Sequence, residues 1–150
     1  MKTITVRREI EAPVQRVWDV LTDLDNAPAN LTGIVQVERV AGDTYAVGTR
    51  WRETRKVFGK EATEEMTVAE VEPLQRTVIL AESGGMRYRS EFTLAPTPTG
   101  TALTMTFGGD SDATGLRALL EKMMSLVGIT ITRRMMTADL TDIARAAEGR

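Results

Sequence analysis

Trp51, Glu53 and Arg55 stand at alternate positions in a stretch that reads as β-strand, and they form the most suggestive chemical grouping in the chain. Residues two apart on a strand share a face, so an indole, a carboxylate and a guanidinium would lie side by side, with Val57 continuing the parity. If that face is the inner one, the two charges must pair there or meet a polar group of a bound molecule, because an unpaired buried charge is very unfavourable. Two alternatives stay open: a bulge that switches the parity within the strand, or a place near the rim where both charges reach water. Arg50, Arg52 and Lys56, on the opposite parity, read as a solvated strand face.

The available chemistry is narrowed by what is missing. The 150 residues include no Cys and no His. Disulfides, thiolate catalysis and Cys-bound metal sites are therefore impossible, and His-based proton transfer, serine triads and His-anchored metals go with them. The sequence implies neither a cofactor nor a metal. Any acid or base must be Asp, Glu, Tyr, Lys or Arg, which leaves Glu53, Arg55 and Tyr88 as candidates for polarising a carbonyl or moving a proton. A formal charge of −2 gives no electrostatic reason to expect nucleic acid as a partner. No apolar run approaches the ~20 residues that span a bilayer. Lys2, Arg7 and Arg8 put charge where a signal peptide needs its apolar stretch, so a cytoplasmic chain without a membrane span is expected.

The elements that must position these residues follow from periodicity. Thr3 to Ile10 alternates, with Ile4, Val6 and Ile10 on one side. Ala12-Pro13 ends that strand, and Val14, Val17, Trp18, Leu21 and Leu24 fall at helical spacing, with one further helical turn expected among residues 25–30. Six strands are then expected: Ile34 to Val40, Thr49 to Val57, Ala62 to Val71, Thr77 to Ala81, Met86 to Leu94 and Thr101 to Phe107. Turns this short make successive strands antiparallel neighbours. Residues 113–147 are helical in composition. A straight helix of that length, about 50 Å at ~1.5 Å per residue, would overrun a domain roughly 40 Å across, so the helix must bend, break or overhang, with Gly128 the expected place for a bend. With no linker or repeat, residues 1–150 read as a single α+β domain.

Particular residues add a resemblance. Ile10-Glu11-Ala12-Pro13 followed by Val17-Trp18 and Leu21-Thr22-Asp23, then Val47-Gly48-Thr49-Arg50 and Val71-Glu72-Pro73, resemble in order and spacing the START-like, polyketide cyclase-like (SRPBCC) superfamily over essentially the whole chain. That resemblance implies a helix-grip fold, with a curved antiparallel sheet of about seven strands wrapped around a long C-terminal helix and a short helix pair after the first strand. The fold hosts ligand carriers, cyclases, lipid-transfer domains and cochaperones, so it is a weak guide to activity. No catalytic motif is carried over.

A sheet curled around a helix points one face of every strand inward. Alternation nominates Met66 and Val68 on one strand, Met86, Tyr88, Ser90, Phe92 and Leu94 on another, and Leu103, Met105 and Phe107 on the last. From the helix, Leu120, Met123, Met124 and Val127 are expected to close the cup, Met being suited to irregular contents. Met135 and Met136 are assigned to packing or self-association, an overhanging apolar helix end being apt to seek a second copy as a homodimer. The function expected is binding of a small apolar ligand in a cavity of ~300–1,000 Å³, bounded by Trp51, Glu53, Arg55, Met66, Tyr88, Phe92, Met105, Phe107 and the four helix residues. A cyclase or dehydratase acting on such a ligand, and a cochaperone-like interaction domain, are the competing expectations.

Overall fold

The computed structural model describes residues 3–57, 59–83, 85–110 and 125–149. Strand β1 (Thr3–Ile10) leads to helices α1 (Val14–Leu21) and α2 (Ala27–Asn30). Six strands follow: β2 (Ile34–Ala41), β3 (Arg50–Val57), β4 (Lys60–Glu72), β5 (Arg76–Ser83), β6 (Met86–Thr97) and β7 (Gly100–Asp110). The described helix at the end is α3 (Leu126–Ala147). All seven strands form one antiparallel sheet in the order β1-β7-β6-β5-β4-β3-β2, and α3 packs across β1 and α1. This is the helix-grip fold that the resemblance implies.

The strands form where alternation predicts them because one face of each meets the core. On β6, Met86, Phe92 and Leu94 are buried, and on β7 Leu103 and Met105 are buried opposite them. On α3 the buried positions Met136, Leu140, Ile143, Ala144 and Ala147 repeat at helical spacing and face the same core. Two close fits tie β7 to the first bend of the chain. Thr101 Oγ1 donates to the Ala12 carbonyl at 2.8 Å, and a Cβ on Gly100 would fall 2.0 Å from the Ile10 carbonyl oxygen.

Two expectations need correction. First, helix α3 begins at Ser125, whose Oγ accepts from the Gly128 N–H at 3.4 Å, so Gly128 lies in the first turn and marks no mid-helix bend. The N-cap satisfies a backbone donor that a continuous helix would not expose. The earlier part of the expected helix lies outside the described residues. Second, β3 keeps an unbroken register against β4, from Arg50 opposite Thr67 to Val57 opposite Lys60. The bulges fall instead on its neighbours, at Val68–Glu70 of β4 and at Ile34–Gln36 and Arg39–Ala41 of β2. The extra residues on β2, Val35 and Val40, are turned out and exposed. The parity of β3 is therefore intact, with Arg50, Arg52 and Lys56 outside and Trp51, Glu53 and Arg55 inside.

Candidate functional site

The inner face of β3 carries a chain of charge-assisted hydrogen bonds. Trp51, only 2% exposed, donates from Nε1 to Glu53 Oε1 at 3.3 Å. Arg55 Nε donates to Glu53 Oε2 at 2.8 Å. The two other guanidinium nitrogens reach across to α3, where Nη1 and Nη2 donate to Asp139 Oδ1 and Oδ2 at 3.1 and 2.9 Å. This fork-to-fork pairing uses both carboxylate oxygens as acceptors, which requires ionised Asp139. Burial pushes the Asp139 carboxyl up from its ordinary value and Arg55 opposes that shift. Burial pulls the Arg55 guanidinium down, and Asp139 and Glu53 together outweigh it and hold Arg55 above its ordinary value.

A second acid on α3 steadies this arrangement. Asp142 Oδ2 accepts from the Thr32 backbone N–H at 3.0 Å and from Thr32 Oγ1 at 2.8 Å. One helical turn thus presents two carboxylates, one tied to β3 and one to the turn before β2. Away from this chain of bonds, Tyr45 packs edge-on against Trp18 and meets Thr77 Oγ1 at 2.7 Å. The Thr77 hydroxyl already donates to the Glu70 carbonyl, so Tyr45 is the donor, and burial pushes its hydroxyl up to about 12.

The polar chain divides the interior in two. An outer cavity of about 210 Å³ is walled by Met66, Met105, Phe107, Met135 and Met136, with Tyr88 stacked on Phe107 at 5.6 Å between ring centres. An inner hollow of about 90 Å³ lies against Trp51, Ile79, Phe92 and Ile143. Glu53, Arg55 and Asp139 border both, as do Met66, Ser90 and Met105. The outer cavity is smaller than the range expected for a drug-sized ligand site, because four methionines reach into the concave side of the sheet.

Most of the nominated residues meet here. Trp51 and Phe92 border the inner hollow, Tyr88 and Phe107 the outer cavity, and Glu53, Arg55, Met66 and Met105 both. Val127 does not join them, being 70% exposed on the first turn of α3. Leu120, Met123 and Met124 lie outside the described residues. Met136, assigned to packing or self-association, is buried in this chain's own core and lines the outer cavity with Met135.

Two side chains of the candidate site escape an alternation argument confined to apolar positions. Asp139 falls three residues after Met136, on the apolar stripe of α3, where only an acid with a partner is tolerated. Glu64 sits two residues before Met66, so extending the β4 parity backwards would have found it. Glu64 lies opposite Glu53 in the β3–β4 ladder and faces the outer cavity. Among the described residues it has no hydrogen-bond or ion-pair partner. Burial and, after it, the nearby Glu53 push its carboxyl up, with Arg55 opposing. Burial and Glu64 push up the Tyr88 hydroxyl in turn.

Comparisons bear on this arrangement. The family model described as polyketide cyclase / dehydrase and lipid transport matches residues 1–148. Comparison with curated proteins yields no match. Among solved structures, TTHA0849 from Thermus thermophilus is similar with a TM-score of 0.76 and 21% identity over 97% of each chain. The di-domain ARO/CYC StfQ from the steffimycin biosynthetic pathway is similar with a TM-score of 0.75 and 14% identity, over 98% of this chain and 50% of StfQ. Ara h 8.0201 is similar with a TM-score of 0.75 and 12% identity over 99% of each chain. At such identities the structural likeness speaks for the fold alone.

Proposed function

The chain belongs to the polyketide cyclase / dehydrase and lipid transport family, and from that premise we propose that it binds a small, largely apolar molecule in the cavity between the sheet and helix α3. The observation that carries this reading is the outer cavity itself. It is a void of about 210 Å³ with methionine and aromatic walls and one polar end built by Glu53, Arg55, Glu64 and Asp139. A concave, mostly apolar pocket with a few convergent polar groups is the usual form of a small-molecule site. The methionine walls suit guests of variable outline, because the thioether side chain adapts at little energetic penalty. Among the described residues no helix is long and apolar enough to cross a membrane.

The test is titration with naphthylmethanol, a neutral aromatic probe, followed by fluorescence, together with native mass spectrometry of the protein as isolated from cells. Saturable one-to-one binding, or a retained small molecule, is the expected outcome. Absence of both would overturn the reading.

Catalysis on the bound molecule is the second reading, and the pairing of Glu64 with Tyr88 in one cavity favours it. A carboxyl pushed up from its ordinary value by burial, beside a phenol, can donate to a carbonyl as an enclosed chain folds. In that reading Glu64 is a better acid than Glu53, whose oxygens are already engaged by Trp51 and Arg55. A Glu64→Gln variant that binds substrate normally but no longer turns it over would support it, and unchanged turnover would remove Glu64 from the chemistry.

A further inference from the structure

We propose that the guest of this cavity carries a protonated amine, seated against Glu64 with its apolar body along the Tyr88–Phe107 stack, and that carboxylate-bearing molecules are rejected. The inference rests on the cavity being a binding site and specifies the chemical class it takes.

Among the described residues Arg55 is the one guanidinium bordering the cavity, and it would be the natural receptor for a fatty or aromatic acid. Its geometry prevents that. Both of its carboxylate-facing edges are committed, Nε to Glu53 at 2.8 Å and the two Nη atoms to Asp139 at 3.1 and 2.9 Å. A ligand carboxylate could form a bidentate pair with it only by displacing Glu53 or Asp139, which would leave a buried anion without its partner. The two carboxylates already outnumber the one guanidinium, so the polar end is negative before Glu64 is counted.

Glu64 then adds an acid that no described side chain satisfies. The charged and titratable groups facing it are Glu53 and Arg55 from β3, Tyr88 from β6 and Asp139 from α3, while the lining positions Ala81 of β5 and Met105 and Phe107 of β7 bring no charge. The methionine and aromatic walls beside Glu64 suit the apolar body of an organic cation. Tyr88 and Phe107, stacked on each other 17° from parallel, both border the cavity and offer apolar contact to an aromatic body.

Three probes of one shape test the proposal on the unaltered protein: naphthylmethylamine, naphthylmethanol and naphthoate. The amine should bind at least tenfold more tightly than the alcohol, and naphthoate more weakly than either. Amine affinity should fall in acid, as Glu64, whose carboxyl is pushed up by burial, takes up its proton while the amine stays charged. Glu64→Gln should weaken the amine at least tenfold more than it weakens the alcohol. Equal binding of amine and alcohol, or preferred binding of naphthoate, would overturn the amine assignment while leaving the cavity as a ligand site. Binding of none of the three would overturn both readings together. The comparison of probes needs no variant, so it stands even if Glu64→Gln folds poorly.

Discussion

Arg55 and Asp139 meet edge to edge, at 3.1 and 2.9 Å, and so bolt strand β3 to helix α3 across the middle of the protein. The guanidinium side chain is 21% exposed and the carboxylate 11%. Removing one partner of such a pair leaves a poorly solvated charge behind, at a typical penalty of about 3–5 kcal/mol. Arg55→Met should be the worse of the two single changes, because it strands Glu53 and Asp139 together, whereas Asp139→Asn leaves Arg55 its bond to Glu53. Urea denaturation at neutral pH should show that order, and the gap should narrow in acid as the stranded carboxylates take up protons. The reverse order would mean that the pair does not govern the site's electrostatics.

Glu64 gives stability a pH dependence of definite sign. Its carboxyl titrates above the ordinary value of 4.5 in the folded protein, so the folded state holds a proton that the unfolded chain has lost. Stability from this group is complete below 4.5 and declines as pH rises through the folded value. Glu64→Gln should remove the Glu64 share, leaving the variant more stable than the parent at about pH 8 and no more stable at about pH 4. Thermal midpoints across that range check it, and parallel curves for the two proteins would contradict the assignment.

Gly100 is a packing constraint at the β6–β7 turn. An added methyl would lie 2.0 Å from the Ile10 carbonyl oxygen and 2.9 Å from the Ala12 backbone nitrogen, both main-chain atoms with little room to yield. Gly100→Ala should therefore destabilise by about 1–3 kcal/mol, the usual range for forcing extra volume into a close contact. Gly59→Ala is a useful contrast, since its Cβ would meet nothing within 4 Å and only the positive φ of +78° is strained. A smaller loss at Gly100 than at Gly59 would show that the turn relaxes freely.

The sheet was legible in the sequence because period-two alternation and turn residues act locally, and each strand is found within a few residues of its expected place. The site was legible only in part. Parity put Trp51, Glu53 and Arg55 on one face, but local pattern could not say which face, because the bulges that would have decided it lie on β2 and β4. Asp139 was invisible to an apolar count, since an acid on a buried stripe makes sense only once Arg55 is known to lie opposite. Val127 was misplaced because helical spacing fixes which residues share a face and does not fix how much of that face is buried.

Ala81 offers the most direct separation of cavity from surface. It is 7% exposed, faces the outer cavity, and stands between Met66 of β4 and Tyr88 of β6 in the ladder. Ala81→Leu would place a branched apolar group in space that a guest would otherwise occupy. Filling a void ordinarily adds about 0.5–2 kcal/mol of stability when no neighbour is displaced. Met66 is flexible enough to accommodate the newcomer. The variant should thus melt at a higher temperature and lose affinity for naphthylmethanol at least tenfold, two changes of opposite benefit from one substitution. A surface site predicts a different result, since affinity would survive the filling of the interior. Lower stability together with retained binding would show that the void between β4, β6 and α3 is not where the molecule sits.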